Sequence, residues 1–187
     1  MKPNHIFLLL FIAIFSSCVN AQKPSPMKKV LIVYYSFSGN TEIVANQIKE
    51  ITGGDIFELQ PVKPYPEEYD SVVSQAKKEI STGFCPDLKA MPDSMEKYDV
   101  VLIGSPCWWY TMAPPMFTFL SENDFSGKTI ALFMTHGGSG LGHSIPDLQK
   151  KCPGASIQPG LAIYGDSVKQ SKPDILKWLQ KIELISK

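Results

Sequence analysis

The segment from Val30 to Ile51 constrains the fold more than any other part of the chain. A mainly β-branched apolar run, residues 30–35, leads into Ser-Phe-Ser-Gly-Asn-Thr, and apolar residues then recur at helical spacing at Val44, Ile48 and Ile51. This order predicts a strand, a tight turn and a helix, which is the repeating unit of a parallel α/β sheet. Because a helix N-terminus carries unsatisfied N–H groups and a partial positive charge, the turn can accept a phosphate.

The turn contains no basic residue, which distinguishes it from other phosphate-binding loops. A nucleoside-triphosphatase loop requires a lysine, and a dinucleotide-binding loop requires three spaced glycines. Here the turn has one glycine, Gly39, and no lysine after it. A cysteine-phosphatase loop requires a cysteine and an arginine, but the turn has no Cys and the whole chain contains no Arg. We therefore expect a phosphate held by backbone amides and by the hydroxyls of Ser36, Ser38 and Thr41. The alternative is a serine-capped helix that follows a strand.

Two later segments each predict a buried strand followed by an unusual loop. In Asp99–Pro115 (DVVLIGSPCWWYTMAPP), a strand at Val100–Gly104 runs into a loop rich in aromatic residues and prolines. In Thr129–Gly142 (TIALFMTHGGSGLG), a strand opens into a glycine-rich loop. Ligands of open parallel sheets bind beyond the carboxyl ends of the strands, where the strand order reverses. We therefore expect these two loops and the phosphate turn to meet at one edge.

The remaining segments alternate between strand and helix patterns, which predicts one doubly wound parallel α/β domain at residues 28–187. The other predicted elements are a second strand at residues 55–60, helices beginning near Pro66 and Met116 and around Ile145, a fifth strand at residues 156–164, and a last helix opened by a capping box at Ser171–Asp174. The proline-rich stretches 61–66 and 85–93 are predicted to be connecting loops.

The hydroxyl-rich turn, the WWYTMAPP loop and the THGGSG loop together resemble the flavodoxin family, in the branch with a tryptophan pair and a THGGSG loop. The resemblance covers everything after about residue 27. It implies a five-stranded, short-type flavodoxin-like fold with strand order 2-1-3-4-5 that binds FMN non-covalently. It implies phosphate contacts from Ser36, Ser38, Gly39, Asn40 and Thr41, ring contacts from Pro106, Trp108, Trp109 and Tyr110, and edge contacts from His136, Gly137 and Gly138.

The chemistry of the two later loops agrees with a flavin. The isoalloxazine ring has wide apolar faces that stack on aromatic side chains, and glycines let the backbone approach its polar edge. The alternatives are core packing for the tryptophans and a strand-to-helix turn for the glycines. The GGSGL sequence does not match a serine-hydrolase elbow, because Leu141 stands where the pattern requires glycine.

Residues 1–21 predict an export signal, with a basic start and an apolar run from Ile6 to Phe15 that is too short to span a bilayer. Two processing routes remain open: cleavage after Ala21, or lipid attachment at Cys18. Residues 22–27 would then be a short tether. We expect an extracytoplasmic protein of a bacterial cell envelope, periplasmic or lipid-anchored, with the lipid as its only contact with the membrane.

Three further cysteines, Cys85, Cys107 and Cys152, show no metal-ligand spacing, and no metal or catalytic residue is predicted. A Cys85–Cys152 bridge and a redox thiol at Cys107 are alternatives to simple packing. The 18 basic and 18 acidic residues balance, so no surface for nucleic acid is implied. Residues 104–115 and 134–144 contain no Asp or Glu. We therefore expect the fully reduced, anionic flavin to form more easily than in acid-lined flavodoxins.

These observations predict an electron carrier that works through FMN, with a redox partner protein or a small-molecule electron acceptor. Two alternatives remain, namely an FMN-dependent reductase of quinones or nitro compounds and a flavin-binding module without turnover. The sequence has no second domain for a nicotinamide, which favours a carrier, or a reductase that receives its electrons from a partner.

Overall fold

The structure is a computed structural model that describes residues 28–186. The predicted signal, the lipid attachment site at Cys18 and the tether lie outside these residues. The elements are β1 (Val30–Tyr34), α1 (Asn40–Thr52), β2 (Asp55–Glu58), α2 (Tyr69–Thr82), β3 (Val100–Trp108), β4 (Thr111–Met112), α3 (Pro114–Glu122), β5 (Thr129–His136), α4 (Ser144–Lys151), β6 (Ser156–Ile157), β7 (Leu161–Tyr164) and α5 (Lys172–Lys181), with 3₁₀ turns at Met95–Lys97 and Gly165–Gln170.

The strands form one sheet in the order β2-β1-β3-β5-β6, with β7 also beside β5. All of these pairs are parallel, and only the short β4 runs antiparallel, against the end of β3. The predicted order 2-1-3-4-5 is confirmed, because β5 is the predicted fourth strand and β6 and β7 share the place of the fifth. The switch in strand order lies between β1 and β3.

Both faces of the sheet are covered by helices, which explains why the strands are apolar throughout. Successive side chains of a strand point to opposite faces. Val101 and Ile103 of β3 accordingly join the core under α2, α3 and α4, while Leu102 joins the core under α1 and α5. The sheet thereby positions the carboxyl ends of β1, β3 and β5 side by side.

Three predicted strands differ in extent from the observed ones. The predicted second strand, at residues 55–60, ends at Glu58. β3 extends from the predicted end at Gly104 to Trp108, because its last residues pair with β4, Cys107 with Met112 and Trp108 with Thr111. The predicted fifth strand is interrupted between β6 and β7. Pro159 in the gap has no N–H for the ladder, and its carbonyl accepts a hydrogen bond from Trp178 Nε1 at 2.7 Å.

The predicted capping box at Ser171 was wrong. Ser171 follows a 3₁₀ turn and has helical backbone angles, φ −77° and ψ −6°, rather than the extended ones of a typical N-cap. Its hydroxyl therefore points back and donates to the carbonyl of Val168 at 2.8 Å. Asp174 N–H donates instead to the backbone carbonyl of Ser171 at 3.0 Å.

The cysteines and the proline-rich loops are also placed by the structure. Cys85, Cys107 and Cys152 are free thiols, so the Cys85–Cys152 bridge is not formed. The two proline-rich connections pair with each other, and Pro61 bridges Leu88 in antiparallel fashion. Between residues 28 and 186, no helix has the length and apolar character needed to cross a membrane.

Candidate functional site

Three segments meet at the carboxyl edge of the sheet. We call them the hydroxyl loop (residues 35–39, between β1 and α1), the hairpin turn (Trp109–Tyr110, between β3 and β4) and the glycine loop (residues 137–143, between β5 and α4). The Phe37 ring of the hydroxyl loop lies 5.7 Å from the ring of Trp108 at the end of β3. The glycine loop reaches the hairpin turn through His143 N–H, which donates to Tyr110 O at 2.6 Å.

The hydroxyl loop leads directly into α1 through Gly39, which has a left-handed φ of 83° and offers no side chain to cap the helix. Ser36 Oγ accepts a hydrogen bond from Glu42 N–H at 3.3 Å, and Ser38 is exposed. Thr41 is buried, and its hydroxyl lies 2.8 Å from the hydroxyl of Thr135 in β5. The loop therefore presents hydroxyls and the positive end of a helix dipole at one place, as an anion requires.

The hairpin turn holds two bulky aromatic residues in left-handed backbone conformations, with φ of 49° at Trp109 and 65° at Tyr110. Two-residue hairpin turns often require positive φ at both positions, but they normally use Asn and Gly. A left-handed backbone conformation at such a residue destabilises the fold by about 1–3 kcal/mol, so it persists only where the surroundings support it. Trp109 is supported by α2, where its Nε1 donates to Val73 O at 3.1 Å and Lys77 Nζ lies 4.9 Å from the indole centroid. Tyr110 is held through its backbone carbonyl, which accepts from His143 N–H.

The glycine loop approaches the hairpin turn too closely for any side chain at Gly142. A Cβ added there would overlap Tyr110 O and lie 2.8 Å from Tyr110 Cα, and the φ of Gly142 is +50°. At the other end of this loop, His136 Nδ1 accepts a hydrogen bond from Gly138 N–H at 2.9 Å. The His136 ring packs edge-on against Tyr164 at 5.7 Å.

A cavity of about 360 Å³ opens between the hairpin turn and α2. It is lined by Phe37, Tyr69, Val72, Val73, Ala76, Cys107, Trp108, Trp109, Tyr110 and Ser139. The size and the mainly apolar and aromatic lining are typical of a small-molecule site. Of the predicted ring contacts, the three aromatic residues line this cavity. Pro106 and the predicted edge residues His136, Gly137 and Gly138 are not part of its lining.

Sequence reasoning missed the whole α2 wall of this cavity. The spacing of Val72, Val73 and Ala76 predicts a helix with an apolar face, but it does not separate a face buried in the core from one that lines a cavity. Tyr69, at the start of α2, is 75% exposed and lines the cavity mouth. Phe37 and Ser139 lie within predicted site loops, but no feature of the sequence assigned them to the ring.

A buried polar network lies behind Trp108. The rings of Tyr35 and Tyr65 pack edge-on against the indole at 5.6 Å and 5.0 Å. Tyr65 Oη donates to Glu79 Oε2 at 2.5 Å, and Gln75 Nε2 donates to Glu79 Oε1 at 2.8 Å. Burial, and then the hydrogen bond to Glu79, raise the pKa of Tyr65, and burial followed by the Glu79 charge raises the pKa of Tyr35.

Cys107 lines the cavity without the features of a reactive thiol. Burial raises the pKa of this thiol, and the contacts with Ser139 and the Tyr110 backbone oppose that rise only in part. Reactive cysteines have a lowered pKa in an electropositive setting. The geometry therefore favours Cys107 as a packed wall residue over the alternative of a redox thiol.

Comparisons with known proteins agree with this arrangement. The family model described as Flavodoxin matches residues 29–182. A candidate flavoprotein from Bacteroides eggerthii DSM 20697 superposes with a TM-score of 0.75 at 28% identity, covering 84% of this chain and 99% of that one. A flavoprotein from Lactobacillus acidophilus NCFM, solved in complex with FMN, has a TM-score of 0.64 at 26% identity, covering 81% and 98%.

Curated relatives share a shorter stretch. Flavodoxin 1 of Escherichia coli (strain K12) is 28% identical over 106 residues, which is 54% of this chain and 46% of that protein. The chain thus spans about half the length of the curated relatives it matches. Since the family model covers nearly all of the described residues and the observed strand order is that of the fold, the chain belongs to the flavodoxin family.

Proposed function

We propose that this protein binds FMN non-covalently and transfers electrons through it. The observation that carries the proposal is the adjacency of an anion-binding loop and an aromatic cavity, joined by the contact of Phe37 with Trp108 at 5.7 Å. FMN has one phosphate on a short chain attached to a flat aromatic ring, so it matches both parts. The FMN complex of the Lactobacillus acidophilus relative supports this assignment.

In this proposal each part of the site has a separate task. The first amides of α1 and the hydroxyls of Ser36 and Ser38 bind the phosphate, while Thr41, bonded to Thr135, fixes the helix start to β5. Trp108, held edge-on by Tyr35 and Tyr65, forms a wall for the ring. Bound FMN would supply the redox chemistry, and the surrounding side chains would bind it, orient it and exclude water.

An electron carrier is favoured because the cavity mouth is open and aromatic. Tyr69, Trp109 and Tyr110 are 75%, 43% and 58% exposed, so a partner can approach the ring edge at this mouth. Residues 28–186 form a single sheet with its helices and include no second domain for a nicotinamide donor. A reductase of quinones or nitro compounds remains the alternative, since its substrate would enter by the same mouth.

The proposed location is the bacterial cell envelope, outside the cytoplasm. Lys28 and Lys29 precede β1 at the edge opposite the cavity, so a lipid at Cys18 would hold the domain by the side remote from the flavin. If a lipid is attached at Cys18, Cys18→Ser should move the protein from the membrane fraction to the soluble fraction. A wild-type protein that is already in the soluble fraction would instead favour cleavage after Ala21.

Binding is tested by titrating the purified protein with flavins. We expect FMN to bind with micromolar affinity or better, with loss of flavin fluorescence and a higher melting temperature, and FAD to bind more weakly. No quenching and no thermal shift with FMN would refute the proposal. Once loaded and reduced with dithionite, a carrier should pass electrons to a one-electron acceptor such as a cytochrome, whereas a reductase should consume quinone or nitro compound repeatedly.

The charge around the ring predicts its redox poise. The loop residues 104–115 and 134–144 carry no carboxylate, and a unit charge about 4 Å from the ring would contribute about 4 kcal/mol at an effective dielectric of 20. A dry apolar site also disfavours the anionic reduced flavin, but we expect this effect to be smaller than the repulsion from a carboxylate at contact distance. We expect the second one-electron step to occur at a higher potential than in acid-lined flavodoxins, measured by spectroelectrochemistry in the same buffer. An equally low potential would contradict the argument from the missing loop carboxylates.

A further inference from the structure

Glu79 is the only buried charged side chain among the described residues, with 8% of its surface exposed. Its carboxylate receives hydrogen bonds from Tyr65 Oη at 2.5 Å and Gln75 Nε2 at 2.8 Å. The only ion pair within the described part of the chain joins Lys172 and Glu50, so no cation lies within 4 Å of Glu79. Burying a charge without an opposite charge beside it destabilises the folded state, so an isolated buried carboxylate calls for a functional explanation.

This carboxylate stands directly behind the wall of the proposed flavin cavity. Tyr65 links the two, because its hydroxyl is bonded to Glu79 and its ring packs edge-on against Trp108 at 5.0 Å and 83°. Ala76, one helical turn before Glu79 on α2, lines the cavity itself. The charge therefore lies one aromatic ring away from a side chain that lines the cavity.

Other charges near α2 are more exposed to water. Lys77 lies over the outer indole of Trp109, 4.9 Å from its centroid, and is exposed. Glu79 also borders a second cavity of about 350 Å³ on the far side of the hairpin, together with Asp147, Lys150 and Lys151. Both of these lysines are exposed, so their charges are screened by solvent more strongly than a buried carboxylate.

We propose that Glu79 tunes the redox balance of the bound flavin, since its negative charge disfavours the anionic reduced form and its bond to Tyr65 holds Trp108 in place. The inference rests on the proposed FMN function. Adding two electrons and one proton to the neutral ring of oxidised FMN gives that ring one negative charge, and Glu79 opposes the added charge. Glu79 thus acts on the flavin through its charge and through the position of Trp108. It belongs to α2 and lies outside the loops that lack carboxylates, so it partly opposes the higher potential expected from those loops.

The size of the effect follows from distance and dielectric. For charges on the order of 10 Å apart at an effective dielectric of about 20, Coulomb's law gives roughly a tenfold change in the affinity for reduced over oxidised flavin. A tenfold change corresponds to about 59 mV in a one-electron step. Because oxidised FMN carries no ring charge, its own affinity should change little.

The test replaces Glu79→Gln in the full chain, because the amide can still accept a hydrogen bond from Tyr65. We expect the potential of the second one-electron step to rise by about 59 mV in the FMN-loaded variant, which corresponds to a tenfold gain in affinity for reduced flavin. The matched control is Glu50→Gln, which removes an equal charge from an exposed site on α1. If both variants shift equally, or neither shifts, the proposed charge effect is wrong.

Tyr65→Phe separates positioning from charge, since it keeps the ring and the carboxylate but removes the hydroxyl that joins them. We expect altered near-ultraviolet circular dichroism from Trp108 and weaker binding of both FMN and riboflavin, without a rise in potential. An unchanged tryptophan signal together with wild-type affinities would refute the positioning role. A rise in potential equal to that of Glu79→Gln would refute the charge role.

Infrared difference spectra of the flavin-free protein test the charge of Glu79 independently of FMN binding. The wild-type minus Glu79→Gln difference should show the loss of an ionised carboxylate band. Loss of a protonated carboxyl band instead would overturn the inference even if FMN binds. If FMN fails to bind but the carboxylate band is lost, the proposed function is wrong while the buried charge itself is established.

Discussion

Single residues decide how closely the segments around the cavity can approach each other. Gly142 has no room for a Cβ beside Tyr110 O, so the glycine loop can rest on the hairpin turn only with glycine there. Its neighbour in the same loop, Gly140, has a similar left-handed φ of +59° but nothing within 4 Å of an added Cβ. The pair therefore separates the effect of close packing from that of backbone conformation.

We expect Gly142→Ala to weaken FMN binding and to lower the melting temperature more than Gly140→Ala does. Both variants pay the cost of alanine at positive φ, roughly 1–2 kcal/mol, but only the first must also move the hairpin turn. At about 2–4 °C per kcal/mol for a chain of this size, the difference is measurable by thermal unfolding of the flavin-free protein. Equal losses in both variants would show that the contact with Tyr110 is unimportant.

The hydroxyl loop offers a second test at the same scale. Ser38→Ala should weaken FMN about tenfold or more and leave riboflavin unchanged, because a hydrogen bond to a charged group contributes about 1.5–3 kcal/mol. Thr41→Ala should also weaken FMN more than riboflavin, and in addition should lower stability, since Thr41 is buried and bonded to Thr135. Titration with both flavins checks this, and an equal loss for riboflavin would mean that the loop does not bind the phosphate.

At the scale of elements, the β3–β4 hairpin combines a strained turn with the aromatic lining of the cavity. The strain at Trp109 and Tyr110 is offset by their contacts with α2 and the glycine loop, including the bond of Tyr110 O with His143 N–H. Such a turn favours glycine, while a cavity that binds a flat ring favours aromatic side chains. Trp109 and Tyr110 in this turn therefore favour ligand binding at the expense of the local stability of the turn.

Tyr110→Gly should stabilise the flavin-free protein while weakening FMN. Glycine adopts the φ of +65° without strain, and the Tyr110 ring is 58% exposed, so little packing is lost. The expected gain of about 1 kcal/mol would raise the melting temperature by about 2–4 °C. Tyr110→Ala is the control, because it removes the ring but keeps the strain. If the glycine variant is no more stable than the alanine variant, the turn is not strained.

At the scale of the whole molecule, β3 joins both cores and ends at the site, and its packing depends on Gly104. A Cβ there would overlap the Phe133 ring and lie 2.8 Å from Tyr34 Cβ. Overpacking of a close-packed core costs about 1–3 kcal/mol, so Gly104→Ala should lower the melting temperature of the flavin-free protein by several degrees. Gly137→Ala, with nothing within 4 Å of its Cβ, should have little effect. Similar melting temperatures for the two variants would contradict this account of the sheet.

Much of the fold could be predicted from local patterns. Apolar runs such as Val100–Gly104, turn residues and helical spacing are local properties, and their alternation predicts a parallel sheet. The order 2-1-3-4-5 came from the resemblance to flavodoxins, and the observed sheet has it. The errors lay where a tertiary contact overrides a local signal. β3 is lengthened by its pairing with β4, and the hydroxyl of Ser171 turns back to Val168 rather than capping α5.

For the site, the sequence by itself determined the loop chemistry: hydroxyls without basic residues in one loop, aromatic residues in the second and glycines in the third. Only the tertiary structure decided which other side chains stand beside them. The α2 wall of the cavity and Glu79 come from a helix that follows β2, away from the switch point. Their roles depend on contacts between distant segments, because an amphipathic helix has the same spacing whether it faces a core, a cavity or a buried charge.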